Sequence, residues 1–177
     1  MTKNFHSHST IAGLVLAMVW PAGSGWADYD GDGSMKDSAS LEASNRTAVE
    51  AAFASWRDGT GSPFDLLADD ATWTIAGRSM AAGTYESRDA FLTDVIRPFN
   101  ARMRTGLKPE IHDLYADGDT VIVHFDARST ARDGRPYENS YAWFLEMQGG
   151  RIVNATAFFD SIEFDDLWRR VAPVSTE

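Results

Sequence analysis

Apolar and polar residues alternate along much of the chain between residues 120 and 159, which predicts β-strands. The predicted strands are Thr120–Ala131, Tyr137–Met147 and Arg151–Phe159. They are separated by Arg132–Arg135 and Gln148–Gly150, which contain Asp-Gly and Gly-Gly pairs, and such pairs between β-rich segments are strong hairpin signals. A third signal, Asp117-Gly118, connects the set to an earlier strand over Pro109–Ala116. The pattern therefore predicts an antiparallel meander.

Helical periodicity dominates the chain before the meander. In the segment Leu41–Asp58, apolar residues recur at the i, i+3, i+4, i+7 spacing of a helix with one buried face. The other predicted elements are a short helix over Phe64–Ala68, a strand over Ala71–Ala76, a helix over Arg88–Arg104 that Pro98 kinks or splits, and a closing helix over Glu163–Val171. Early helices followed by long antiparallel strands indicate an α+β domain with helices packed on one face of a curved sheet.

The first 27 residues have the layout of a secretory signal peptide. Lys3 is followed by the apolar run Ile11–Val19 and by the small-x-small sequence Gly25-Trp26-Ala27. A membrane anchor would need about 20 apolar residues, and this run is shorter. We therefore expect cleavage after Ala27 and a periplasmic or secreted protein. Residues 28–40 are predicted to be a flexible acidic linker, and residues 41–177 the folded domain.

Charge and composition narrow the range of partners. The formal net charge is −10, so the chain is not expected to bind nucleic acid or, after signal cleavage, a membrane. It has no cysteine, which excludes disulfides and thiol chemistry. With His112 and His124 as the only histidines beyond the signal peptide, no metal site and no cofactor is predicted.

Five short segments carry a resemblance to a known family. They are Leu67–Trp73, Ser87–Ala90, Ala116–Val121, Gly149–Ile152 and Phe158–Asp160. In this order they resemble the nuclear transport factor 2-like superfamily, and within it the SnoaL-like and ketosteroid-isomerase-like domains. The resemblance implies an α+β barrel: a cone-shaped, curved antiparallel sheet with helices packed on its concave face. It also implies a small apolar ligand at the open end and frequently a homodimer through the outer sheet face, but no single chemistry.

The first meander strand has an apolar face and a polar face. Alternation alone would send Val121, Val123 and Phe125 to the core and His124 and Asp126 to the solvent. The resemblance to limonene epoxide hydrolase implies the opposite, because Asp126, counted back from the hairpin glycine, falls where that family keeps a pocket carboxylate. We therefore expect His124 and Asp126 in the pocket as a general acid/base pair, with the apolar set on the outer face.

The remaining machinery of the related enzymes is incomplete in this chain. The hydrolase's second carboxylate would fall at Ala157, and its water-holding residues at Trp73 and Ile75. The steroid isomerase's base also maps near Ile75, and its hydrogen-bond-donating Tyr near Ala52 or Phe53. Neither known mechanism is expected here.

Aromatic residues replace that machinery as the expected pocket lining. The predicted ligand-binding residues are Phe53, Trp56, Trp73, Asn139, Tyr141, Trp143 and Phe159. The alternative interpretation is that these aromatic side chains form a solid core, whereas ligand binding requires a cavity of about 300 Å³ or more. Two further residues are interpreted as structural: Asp160 caps the last helix or pairs with an arginine, and His112, on the same face as Leu114, is partly buried.

Three functions remain open at this point. The first is an exported domain that binds a small hydrophobic molecule. The second is an isomerase, cyclase or hydrolase that uses His124 and Asp126 as its acid/base pair. The third is a structural dimerisation module that uses the outer face of the sheet.

Overall fold

The computed structural model describes residues 31–174, with side chains from residue 37 onward. The predicted signal peptide and the first residues of the predicted linker lie outside this range. No helix within residues 31–174 is both long enough and apolar enough to span a membrane.

Four α-helices and six β-strands form the described part of the chain. In order they are α1 (Gly31–Asp58), β1 (Leu67–Ile75), β2 (Gly83–Tyr85), α2 (Arg88–Phe91), α3 (Arg97–Asn100), β3 (Lys108–Asp117), β4 (Thr120–Thr130), β5 (Pro136–Gln148), β6 (Arg151–Phe159) and α4 (Ser161–Arg170). A 3₁₀ turn, Pro63–Leu66, precedes β1, and a π-helical turn, Leu92–Ile96, joins α2 to α3. The predicted α+β class is confirmed.

The six strands form one curved, open sheet in the order β2-β1-β6-β5-β4-β3. The predicted antiparallel meander is confirmed, since β3, β4, β5 and β6 pair antiparallel in sequence order. The sheet is not antiparallel throughout, because β1 pairs with β6 in the parallel direction. This pairing brings the early part of the chain beside its last strand, so both contribute side chains to the same inner face.

Several element boundaries differ from the sequence-based prediction. Helix α1 begins at Gly31 rather than at Leu41, so residues 31–40 are helical where a linker was predicted. Once a helix exists, each added residue gains a hydrogen bond without a new nucleation cost, which allows such an extension. The short helix predicted over Phe64–Ala68 is a 3₁₀ turn closed by a reciprocal capping box between Ser62 and Asp65. The short strand β2 lies where a loop was predicted.

Two predictions about where helices break and begin are confirmed. The helix containing Pro98 is split, with a π-helical turn directly before the α3 segment that holds the proline. Asp160 is the N-cap of α4, and its carboxylate accepts a hydrogen bond from the Ile162 amide at 2.8 Å.

The hydrophobic core lies between the inner face of the sheet and the helices. Val121, Val123 and Phe125 of β4 are completely buried in it. On the helix side, Phe53 of α1 packs edge-on against Phe125, with ring centroids 4.9 Å apart. The prediction that these β4 residues form an outer apolar face is therefore wrong. Simple alternation of buried and exposed residues describes β4 correctly, because burying three large apolar side chains contributes several kcal/mol, about 1.5–3 each.

Candidate functional site

A cavity of about 250 Å³ lies inside the cone, between the sheet and the helices. Most of its lining is aromatic or aliphatic. The lining side chains include Trp56, Phe64, Trp73, Ile75, Phe91, Val95, Phe99, Leu107, Tyr141, Trp143, Ala157, Phe159 and Phe164. The polar residues on the wall are Ser62, Asn100 and Tyr141. This volume falls short of the cavity of about 300 Å³ or more that was expected for ligand binding, which is also the lower end of the usual range for drug-sized ligands, so it suits a smaller molecule.

Three tryptophans form the framework of the cavity wall. Trp73 of β1 stacks on Phe91 of α2 with ring centroids 4.4 Å apart and an interplanar angle of 11°. Trp143 of β5 meets Trp73 edge-to-face at 5.0 Å and lies nearly parallel to Trp56 of α1 at 5.9 Å. Rings from four elements therefore pack against one another around the cavity.

Tyr141, one of the polar residues on the wall, belongs to a hydrogen-bonded group on β5. Because side chains alternate along a strand, Tyr137, Asn139 and Tyr141 all point to the inner face with Trp143. The Tyr137 hydroxyl accepts a hydrogen bond from Asn139 Nδ2 at 2.9 Å and lies 2.9 Å from the Tyr141 hydroxyl. Burial is the main cause of two pKa shifts: it raises the pKa of Tyr137 to about 12 and raises that of Tyr141 well above its ordinary value. Both phenols therefore stay protonated at physiological pH.

Five of the seven predicted ligand-binding residues line the cavity: Trp56, Trp73, Tyr141, Trp143 and Phe159. Phe53 lies behind the wall, where it packs on Trp143 with ring centroids 5.6 Å apart. Asn139 is buried but absent from the lining, because its amide is bonded to Tyr137 and to the backbone of Asp160. Whether any of these residues binds a ligand stays a prediction.

The predicted position of His124 and Asp126 in the pocket is wrong. Both side chains lie on the outer face of the sheet and are about half exposed, 51% and 45% respectively. The physical reason is register: Val123, Phe125 and Ala127 point inward, so the alternating residues His124 and Asp126 point outward.

On the outer face, His124 and Asp126 have different partners rather than each other. His124 Nδ1 lies 3.3 Å from Asp113 Oδ2, while Asp126 accepts a hydrogen bond from His112 Nε2 at 2.9 Å and one from the Ser140 hydroxyl at 2.6 Å. The bond from Ser140, followed by the bond from His112, lowers the pKa of Asp126. In the described part of the chain, no group of three or more histidine and acidic side chains is placed to hold a metal ion.

His112 is exposed, not partly buried as predicted. The pairing of β3 with β4 shifts between Ile111 and Asp113, so His112 is the extra residue of a β-bulge. The bulge restores Leu114 to the inner face opposite Val123 while His112 and Asp113 both reach the outer face. Strict alternation cannot predict such an irregularity.

The sequence-based reasoning missed part of the cavity wall. Phe91, Val95 and Phe99 were recognisable as the buried side of their helix, and Phe64 as an apolar residue next to a helix cap, but nothing local marks them as cavity lining. Outside the lining, the buried Tyr137, whose hydroxyl lies 2.9 Å from that of Tyr141, was also missed, although it shares strand parity with Asn139 and Tyr141. That parity was the available signal.

The positions that matter in related hydrolases do lie at this cavity. The lining includes the three positions at which the resemblance places a water-holding pair and a carboxylate, namely Trp73, Ile75 and Ala157. All three residues are apolar in this chain. Among the described residues, no acidic side chain and no histidine lines the cavity. The site is therefore suited to enclosing an apolar molecule, and its lining lacks a proton-transferring carboxylate or imidazole.

Comparisons with solved structures agree with the observed fold. Bal32a, from a soil-derived mobile gene cassette, is 22% identical, with 73% of this chain and 99% of that chain covered and a TM-score of 0.60. An NTF2-like protein from Burkholderia thailandensis E264 is 25% identical, with 68% and 94% covered and a TM-score of 0.56. TerC, co-crystallised with polyporic acid, is 18% identical, with 71% and 98% covered and a TM-score of 0.58.

A search of curated proteins found no match. The family model of the SnoaL-like domain, in contrast, matches residues 42–155, which is well over half of the chain and extends from α1 into β6. The chain therefore belongs to the SnoaL-like domain family, within the nuclear transport factor 2-like superfamily.

Proposed function

We propose that this protein is an exported SnoaL-like domain that binds a small hydrophobic molecule in its aromatic-lined cavity. The observation that carries the proposal is the cavity itself, which lies at the hydrophobic core and is lined mainly by aromatic and aliphatic side chains. Native cores are close-packed, and empty space of this size costs stability. A function such as ligand binding gives a reason for the space to be kept. The co-crystallisation of TerC with polyporic acid supports a ligand-binding role for this fold.

An acid/base enzyme that works in the cavity is less well supported. The candidate pair lies on the other face of the sheet, separated from the cavity by the β4 backbone. The titratable group on the cavity wall is the Tyr141 phenol, whose pKa is raised by burial, and it is suited to donating a hydrogen bond rather than to accepting a proton.

The binding proposal is tested by filling the cavity from the sheet side. Ala157 is buried and lines the cavity, so Ala157→Leu places three extra carbon atoms in the space for the ligand. We expect the affinity for tetralin, a small bicyclic hydrocarbon, to fall by about tenfold or more, because overpacking costs about 1–3 kcal/mol. Quenching of tryptophan fluorescence measures the affinity, since three tryptophans line the wall.

Ala142→Leu is the matched control for this experiment. Ala142 lies on neighbouring β5 and pairs with His124, so its side chain points to the outer face. The control variant should bind tetralin as the wild type does. Equal affinity in the wild type and Ala157→Leu, or no binding by the wild type, would contradict the proposal.

Export rests on the sequence of residues 1–27 and has its own test. When the full chain is produced in bacteria, the periplasmic or secreted fraction is expected to contain a protein that begins at Asp28, as measured by intact mass. Leu16→Arg interrupts the apolar run and is expected to keep the full-length chain inside the cell. An uncleaved wild-type chain in the cytosol would rule out the export part of the proposal.

A further inference from the structure

Arg102 is a buried cation without a carboxylate partner among the described residues. It is 6% exposed, and its guanidinium carbon lies 3.9 Å from the centre of the Trp168 ring. Its Nη1 donates to the Pro98 carbonyl at 2.8 Å, whereas its Nε is buried without a hydrogen-bond partner in the described part of the chain. Burial lowers the pKa of Arg102, but a guanidinium stays charged at physiological pH. Burying a charge is unfavourable unless the charge is paired, so this side chain calls for a counter-ion.

Arg170 shows how the same fold neutralises another guanidinium that is largely buried. Its side chain is 12% exposed and forms ion pairs with Asp133 and with Asp166, the latter at 2.8 Å. The bond to Asp133 is the first cause of the raised pKa of Arg170. This direction is opposite to that of Arg102, because neighbouring carboxylates favour the charged form and burial alone disfavours it. Arg102 therefore lacks the counter-ions that Arg170 possesses.

Two further arginines lie beside Arg102. The Arg132 amide donates to the Arg102 carbonyl at 2.9 Å, and Arg104 Nη2 donates to the Arg132 carbonyl at 3.1 Å. Arg132 Nε donates to the Ala101 carbonyl at 2.9 Å. Both added residues are exposed, and neither forms an ion pair with another described residue. Arg102, Arg104 and Arg132 together form an arginine cluster that extends from the surface into the protein.

The C-terminal end of α3 accounts for part of this positive charge. Pro98 belongs to α3 and Ala101 is its C-cap, and arginines often donate to the last carbonyls of a helix. The dipole at a helix C-terminus corresponds to only about half an elementary negative charge, however, and α3 has just 4 residues. The helix end therefore leaves most of the charge of three guanidiniums uncompensated. Because the whole chain has a net charge of −10, this local positive excess does not follow from composition.

We propose that the arginine cluster binds a doubly charged oxyanion of the phosphate type. Such an anion supplies the missing counter-charge. The planar guanidinium of arginine matches phosphate oxygens well, and most N–H donors of the cluster have no acceptor among the described residues. Arg104 and Arg132 are exposed, so the cluster is open to the solvent. The site is separate from the cavity and independent of the ligand that the proposed function assigns to it.

Isothermal titration calorimetry with sodium phosphate at constant ionic strength tests this proposal. We expect saturable binding to the wild type. Arg104→Gln and Arg132→Gln each remove one charge from an exposed position, and each is expected to weaken the affinity about fivefold to tenfold, because hydrogen bonds between charged groups are strong. Arg57→Gln is the matched control, since it removes an exposed arginine from α1, and it should bind phosphate as the wild type does.

NMR of the arginine side chains identifies the contacting groups in the wild type and does not depend on the folding of a variant. The Nε–H signal of Arg102 is expected to be protected from solvent exchange, because this nitrogen is buried, and to move when phosphate is added. The signal of Arg170 should stay in place, because its guanidinium is already paired with two carboxylates. Equal movement of both signals, in phosphate and in chloride of the same ionic strength, would indicate a general salt effect and would overturn the proposal.

Glycerol 3-phosphate and acetate define the class of anion. Tighter binding of glycerol 3-phosphate than of inorganic phosphate would assign the site to a phosphorylated organic molecule, and equal or weaker binding would assign it to free phosphate. Both results agree with the proposal, whereas equal affinity for acetate and phosphate would overturn the requirement for a double charge.

Two results would overturn the site itself: no saturable binding of phosphate, or wild-type affinity in both Arg104→Gln and Arg132→Gln. Neither result bears on the binding of tetralin, so this proposal and the proposed function can fail separately.

Discussion

Asn139 holds two strand ends together from inside the core. The sequence suggested a ligand contact, because Asn139 shares strand parity with Tyr141 and Trp143. In the structure it is 6% exposed, and its amide bridges the Tyr137 hydroxyl of β5 and the Asp160 backbone at the end of β6. Its contribution is structural, since it satisfies groups that would otherwise be buried without partners.

We predict that Asn139→Ala lowers the free energy of unfolding by about 2–4 kcal/mol. The substitution leaves the Tyr137 hydroxyl and the Asp160 backbone groups without their partner, and each buried unsatisfied group costs about 1–3 kcal/mol. Urea denaturation followed by tryptophan fluorescence measures the change. Asn154→Ala on β6 is the control, because the side chain of Asn154 makes no hydrogen bond to the described residues. Similar losses in both variants would contradict the prediction.

Strand β4 shows how one residue of register decides which side chains reach a site. Its apolar residues face the core and its polar residues face outward, so Asp126 meets His112 and Ser140 across the strands while His124 meets Asp113. The bulge at His112 adds a second outward residue on β3 at the same level. The result is a polar band over three strands on the outer face, away from the cavity.

The network on the outer face predicts a change in one pKa. The Ser140 hydroxyl is the first cause of the lowered pKa of Asp126, so Ser140→Ala should raise that pKa toward its ordinary value of about 3.9. NMR titration of the Asp126 carboxyl carbon measures it. Ser129→Ala, which removes a β4 hydroxyl bonded instead to the Thr105 carbonyl, is the control. An unchanged Asp126 pKa in Ser140→Ala would contradict the assignment.

The lowered pKa of Asp126 also determines the direction in which stability changes with pH. A carboxyl group whose pKa is lower in the folded state stabilises the protein above the unfolded-state pKa of about 3.9. That contribution is lost as the pH falls through the folded-state value. Because Asp126 is about half exposed, solvent screening keeps this contribution small. The free energies of unfolding of the wild type and Ser140→Ala should therefore differ slightly at neutral pH and become equal in strong acid.

At the scale of the whole molecule, the two faces of the sheet have different properties. The inner face is covered by the helices and contains the cavity. The outer face bears the polar band and an aromatic pair, Phe144 and Phe158, whose rings lie 5.9 Å apart and which are 39% and 47% exposed. Exposed aromatic pairs beside polar groups are typical of protein interfaces.

We therefore predict a homodimer through the outer face, with Phe144 and Phe158 of each copy at its centre. Analytical ultracentrifugation at micromolar concentration is expected to show twice the mass of one chain. Phe158→Glu would introduce a charge into the contact and should shift the protein to monomers, whereas Ile162→Glu, at an 81% exposed position on α4, should leave the mass unchanged. A wild-type monomer under these conditions would contradict the prediction.

The sequence by itself determined the class of the fold, the meander, the cap of the last helix and most of the aromatic cavity wall. These follow from local periodicity, from turn residues with restricted backbone conformations, and from the burial of large apolar side chains, all of which can be recognised in short stretches of chain. Most of the strand bounds agree with the sequence pattern to within one or two residues. Five of the seven predicted ligand contacts line the cavity for the same reason.

Only the tertiary structure decided what depends on pairing between distant segments. The register of β4, the bulge at His112 and the parallel pairing of β1 with β6 arise between strands that are separated in sequence. They bring His112 to Asp126 on the outer face and place Ile75 beside Ala157 at the cavity wall. The hydrogen bonds that join Asn139 to Asp160 likewise require β5 and the end of β6 to meet. A pattern along one strand tells which residues share a face, and long-range packing tells what that face contacts.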